Sequence, residues 1–371
     1  MTLRRSKLGG TRRALTFAVL AAVGAGALGL PAPAAAEEAP GQVRALLLGA
    51  LPGSPVYARR YRDWLKRFHA YLTQTRKVPA ANVVVLSGDA EFKDPCVQGL
   101  ATLESTQKAL ADFAAKAKPG DQFILVLIGH GVVTEPIPTF VLPGRDLSAA
   151  QIEEALSKIA ARNQVVLNFS SSSGACLKRL ARRGRVNVAA VKDQEATEPV
   201  YAEFFLRGVE SQRADGEGAP EAGARDGVIT VLEAYNWAAY QTALWISRQS
   251  AASTDGPWKL DGKESVEIFE KLTRGEEKEM GARQLDPSSD RSKPDAAVEI
   301  VPAGGKLDES WTGRRVVTET AMLEDCGEDT GLAALQPEGY KPISGEAPGK
   351  PGALARRVVL GQAALLKAGD K

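Results

Sequence analysis

A chain of 371 residues, 44% hydrophobic and 25% charged, has enough apolar content for one large core with extensions. A formal net charge of +2 gives no basis for bulk-charge binding to nucleic acid or an anionic membrane. Two histidines, His69 and His130, and three scattered cysteines, Cys96, Cys176 and Cys326, make a poor zinc set, and no cofactor is expected.

The amino terminus carries Arg4, Arg5, Lys7, Arg12 and Arg13 ahead of an apolar run from Ala14 to Leu30. Small residues to Ala36 then complete the pattern of an export signal, predicted to be cleaved before Glu37. Thr11-Arg12-Arg13-Ala14-Leu15 is similar to a twin-arginine signal. The mature chain is expected to be periplasmic or secreted, off the membrane once the signal is gone, and in an oxidising compartment. There Cys96 and Cys326, both in polar loop-like surroundings, are the favoured disulfide pair.

Val43 to Leu48 reads as the first strand. Gly49-Ala50-Leu51-Pro52-Gly53 lacks the glycine spacing of a dinucleotide loop. Tyr61, Trp64, Leu65, Phe68 and Leu72 recur at helical spacing and mark a helix with its core face, with His69 beside that face. A strand over Asn82 to Leu86 and a helix over Leu103 to Ala117 follow. Phe123 to Ile128 are six apolar residues in a row, the pattern of a parallel strand buried on both faces, and Gly129-His130-Gly131 follows at once. Pro136 to Pro143 reads as a short strand or hairpin arm over the site. A helix over Leu147 to Ala161, beginning near Ser148, leads to a strand at Gln164 to Phe169, which ends in Ser170-Ser171-Ser172-Ser173-Gly174. Cys176 to Arg183 reads as a short basic helix, Arg185 to Val191 as a strand and Pro199 to Val209 as a helix. Thr230 and Glu233 form a capping box for a long helix reaching about Arg248. Asp226-Gly227 lacks the further ligands of a calcium loop and reads as a turn.

Alternating short apolar strands and helices call for a mostly parallel sheet of about six strands in a three-layer α/β/α sandwich. That domain is expected over 37–250, after a signal over 1–36. Residues 251–371 are rich in Gly, Pro and charge and are expected to be a loop-rich, partly flexible extension with a short apolar segment at Leu354 to Leu366.

The order of these elements resembles the caspase, metacaspase and legumain clan of cysteine peptidases. In that clan a hydrophobic strand ends in His-Gly, and a later strand ends in a motif like Asp-Ala-Cys-His-Ser-Gly. Leu127-Ile128-Gly129-His130-Gly131 matches the first element. Leu167 to Gly174 matches the second in place and in its closing Ser173-Gly174. Over roughly residues 43 to 248 the resemblance implies that His130 and Gly131 belong to the catalytic strand and that Ser171 occupies the position of the nucleophilic cysteine.

A serine there needs an aligned base and an orienting group, whereas a thiol is already partly ionised near neutral pH. The resemblance therefore implies an exported pseudo-peptidase serving as a binding or structural module, its partner a peptide or protein segment. The alternative is a hydrolase using His130 with Ser171, or with Cys176 a turn beyond. An α/β-hydrolase is excluded, because both histidines precede the serine run and the Gly-x-Ser-x-Gly glycine is missing.

Overall fold

The computed structural model describes residues 41–134, 136–192, 199–216, 225–252, 319–328, 331–336, 339–340, 342–345 and 349–367. The export signal and most of the 251–318 stretch lie outside the described residues.

Chain order is β1 (Val43–Gly49), α1 (Pro55–Ala70), β2 (Val83–Ser87), β3 (Gly99–Leu100), α2 (Leu103–Lys116), β4 (Gln122–Gly129), β5 (Gly131–Thr134), β6 (Ile137–Phe140) and β7 (Leu147–Ser148). Next come α3 (Ala149–Lys158), β8 (Asn163–Ser170), α4 (Leu177–Leu180), β9 (Arg185–Ala189), α5 (Tyr201–Glu210), α6 (Val231–Ala252), β10 (Met322–Glu324) and β11 (Leu332–Ala333). Strands β3, β2, β1, β4, β8 and β9 pair in parallel in that spatial order. β10 and β11 then continue the sheet antiparallel beyond β9, giving eight strands. The expected sheet of about six strands is therefore two short: β10 and β11 come from the extension. Three and two residues long, they are too brief to leave a periodic signal.

All eight residues of β4 and all eight of β8 are buried; in β4 this shows as the unbroken apolar run Phe123 to Ile128, whereas β8 carries Asn168 within its apolar stretch. Burying each large side chain contributes about 1.5–3 kcal/mol. β1 to β2 runs one way along the sheet, whereas β2 to β4 to β8 to β9 runs the other. Right-handed crossovers then send α1 to one face and α2, α3 and α4 to the opposite face. Observed contacts agree: α1 packs on α5 and α5 on α6, while α2 packs on α3 and α3 on α4.

The aromatic stripe of α1 is core. Tyr61, Trp64, Leu65 and Phe68 are buried, and Phe68 stacks on Phe169 of β8 and Phe205 of α5 with centroids 5.7 and 6.3 Å away. Helix starts follow side-chain chemistry. Thr102 with Ser105 and Ser148 with Gln151 form capping boxes, and Thr230 with Glu233 forms the one expected for α6.

β5, β6 and β7 form a separate antiparallel sheet, and its hairpin begins at Gly131 with no intervening loop. The segment Leu354 to Leu366 is neither a regular helix nor a strand, but a single 3-10 turn, Ala355–Arg357, followed by irregular chain. Its backbone combines short-range bonds such as Arg357 N–H to the Leu354 carbonyl with bonds to the core side chain of Gln122, and Gly361 at φ +78° breaks helical continuity.

None of the three cysteines is in a disulfide. Cys96 precedes β3 at one edge of the sheet and Cys326 follows β10 near the other. Six strand spacings separate those strands, about 29 Å at ~4.8 Å each, against a disulfide Cα–Cα limit near ~7 Å. Polar surroundings alone misdirected that pairing.

Candidate functional site

β4 and β8 are neighbours with Gly129 opposite Ser170, so His130 and Ser171 leave adjacent strands at the same carboxyl edge. That is where open α/β sheets place ligands and reacting groups. Two glycines make this closeness possible. Gly129 sits at φ +133°, and a Cβ there would stand 2.4 Å from Ala50 Cβ. A Cβ on Gly131 would stand 2.2 Å from the Ser171 carbonyl oxygen. Neither position has room for a side chain.

The four serines have four different environments. The Ser170 hydroxyl donates to Asn168 Oδ1 at 2.6 Å. Ser171 Oγ donates to the Gly131 carbonyl and accepts from the Gly131 N–H, both at 3.0 Å. Ser173 Oγ accepts from the Val191 N–H at 3.2 Å, and Gly174 N–H donates to the Val191 carbonyl at 2.9 Å, fastening the turn to the chain beyond β9. Ser172 differs. It lies at φ +54°, ψ 22°, on the turn from β8 into the 3-10 helix Ser173–Cys176, and its hydroxyl makes no hydrogen bond among the described residues. A non-glycine residue in the left-handed region costs on the order of 1 kcal/mol or more.

His130 is half-buried, and its Nε2 lies 3.1 Å from the Pro52 carbonyl in the turn after β1. A carbonyl only accepts, so this contact assigns the proton to Nε2 and, in the neutral ring, the lone pair to Nδ1. Tyr57 and Tyr61 of α1 hold the ring edge-on, with centroids 5.1 and 5.8 Å away. Its carbonyl accepts from Val141 N–H at 3.0 Å.

His130, Gly131, Ser171 and Gly174, all picked from sequence, thus meet at one edge. What does not follow is a His–Ser pair. Among the described residues Ser171 bonds only to Gly129 and Gly131, and the imidazole Nε2 is bonded to Pro52. Cys176 is the last residue of the 3-10 helix, buried one turn beyond the elbow. The strained position is Ser172, which alignment on the closing Ser-Gly passed over. Backbone strain leaves no trace in residue type when the strained residue is not glycine or asparagine.

Around this edge three large apolar side chains face solvent: Leu51 after β1 at 42%, Val132 of β5 at 45% and Ile137 of β6 at 51% exposed. The register Val132↔Thr139 and Thr134↔Ile137 puts Val132 and Ile137 on one face of the hairpin. Among the described residues no cluster of three His, Cys, Asp or Glu could share a metal ion.

No family model and no curated protein matches the chain. Among solved structures it is similar to the crystal structure of protein GSU0716 from Geobacter sulfurreducens, at 16% identity and a TM-score of 0.33, over 46% of this chain and 83% of that chain.

Proposed function

We propose that the chain is an exported, caspase/legumain-like domain that binds an extended peptide or protein segment at this carboxyl edge without cleaving it. The observation that carries this reading is the double hydrogen bond between Ser171 Oγ and the Gly131 backbone. A nucleophilic serine must deliver its proton to a base during attack, and this hydroxyl delivers its proton to a carbonyl. No bond joins this hydroxyl to His130 among the described residues; the imidazole is held through its Nε2 proton at Pro52. Support for binding comes from the surroundings. β5 is an edge strand next to His130, and extended segments recognise open strand edges. Leu51, Val132 and Ile137 offer apolar contact beside it. Fluorogenic peptide and ester panels, run on wild type and His130→Ala, test the absence of turnover. Titration with a randomised peptide library, read by enrichment on wild type over Val132→Asp, tests the binding edge.

A second reading has one specific observation behind it. Ser172 stands on a strained strand-to-helix turn, its hydroxyl without a bond among the described residues, the geometry that presents a nucleophile at a sheet edge. In that reading the domain is a hydrolase working through Ser172. A fluorophosphonate adduct mapped to Ser172, with turnover lost in Ser172→Ala, would establish it.

A further inference from the structure

The described residues after 318 are built into the body of the molecule by buried side chains of the sheet and of α6. β10 lies antiparallel on the outer edge of β9, with Met322, Leu323 and Glu324 opposite Ala189, Val188 and Asn187. Asn187 Nδ2 donates to Glu324 Oε2 at 2.8 Å, while Glu324 Oε1 caps the backbone N–H groups of residues 326–328. On α6, Asn236 makes a two-way amide pair with the backbone of Ile343, at 2.9 and 3.0 Å. Tyr235 on the same helix donates its hydroxyl proton to the Ala321 carbonyl at 2.8 Å and accepts from Ala334 N–H at 3.2 Å.

The amino edge of the sheet does the same. Gln122 donates to the Val359 carbonyl at 2.9 Å and accepts from Gly361 N–H at 2.8 Å. Gln122, Asn187, Tyr235 and Asn236 are each no more than 1% exposed. Leu323, Ala334, Ala355, Val358 and Val359 of the tail are fully buried against the body.

A buried amide whose two groups both pair with one distant backbone segment reads that segment as a bound peptide would be read. None of these contacts uses residues 253–318, which connect the two parts. We infer that residues 319–366 are a separable complement to the body 41–252. Cutting the chain within 253–318 leaves a folded, non-covalent two-chain protein whose body is a receptor for this one segment. This does not rest on the peptide-binding reading of the carboxyl edge, since the contacts lie at the β9 edge, along α6 and at the amino edge of β4.

The test places the recognition site of a specific protease between Ser288 and Ser289 of the full chain. The expected result is complete cutting, with both fragments co-eluting at the intact volume at ~1 μM and separating only in denaturant. Asn236→Ala removes the Ile343 pair and should speed release of the tail from the cut protein by about 10-fold or more. Far-UV circular dichroism of uncut Asn236→Ala verifies that it folds. Gln122→Glu, judged in the same way, is the second variant, since it replaces the donor to Val359 by a repelled oxygen. Free elution of the tail from cut wild type overturns the inference. So does resistance of the inserted site to a protease that cuts the unfolded chain, or tail release unchanged in both folded variants.

Discussion

Ser171 is a structural cross-link between β8 and β5, and its removal should be felt in stability. Ser171→Ala leaves a buried N–H and a buried carbonyl of Gly131 without a partner, at a cost of about 1–3 kcal/mol. Urea denaturation of the two proteins measures it, and an unchanged midpoint would contradict the assigned bonds. Ser172 predicts the reverse. Glycine tolerates φ +54° without strain, so Ser172→Gly should stabilise by about 0.5–1 kcal/mol, net of glycine's own entropy cost. Destabilisation beyond that amount would show that the hydroxyl has a partner. At this scale the sequence is readable where residue type forces geometry. Gly129 and Gly131 announce the tight crossing, and their missing side chains prove sterically required. What one serine does differently from its neighbour is invisible, because the partners of Ser171 and Ser173, Gly131 and Val191, lie far away in sequence.

Helices α1 and α5 meet over a buried carboxylate. Glu203 accepts from Trp64 Nε1 at 2.8 Å and from Arg67 at 2.7 Å, and Arg207 also bonds to it. Burial works to push this carboxyl up, but Arg67 and Arg207 together overcome it, so it titrates below its ordinary 4.5. A carboxyl depressed in the folded state adds stability above its unfolded value and loses it as pH falls through the folded one. Glu203→Gln should therefore cost about 3–5 kcal/mol near neutral pH and flatten the loss of stability below about pH 4.5. Thermal melts from pH 3 to 7 test both; parallel wild-type and variant curves would reject the assignment. The aromatic stripe of α1 and the Thr230–Glu233 capping box were readable because each falls within a turn or two of helix. Trp64 meeting Glu203 was not, since the two are 139 positions apart.

For the whole molecule, the parallel order of strands follows from the alternation of elements, whereas the added antiparallel edge does not. A Gly-, Pro- and charge-rich stretch reads as loop, and only the body can show that its far end is fastened down by Gln122 and Asn236. The same blindness produced the expected Cys96–Cys326 pair, two residues on distant sheet edges. Export, proposed from residues 1–36, has its own check. Replacing Arg12-Arg13 by Lys-Lys should retain the chain in the cytoplasm, as cell fractionation would show, and unaltered export would remove the twin-arginine route.

The measurement that bears most directly on the central claim is reaction of wild type with a fluorophosphonate, followed by peptide mapping across 163–183 and turnover of peptide and ester panels. With the Ser171 proton committed to the Gly131 carbonyl, Ser171 should carry no adduct, and turnover should not exceed that of His130→Ala. An adduct on Ser171, with robust turnover lost in both His130→Ala and Ser171→Ala, would contradict the account.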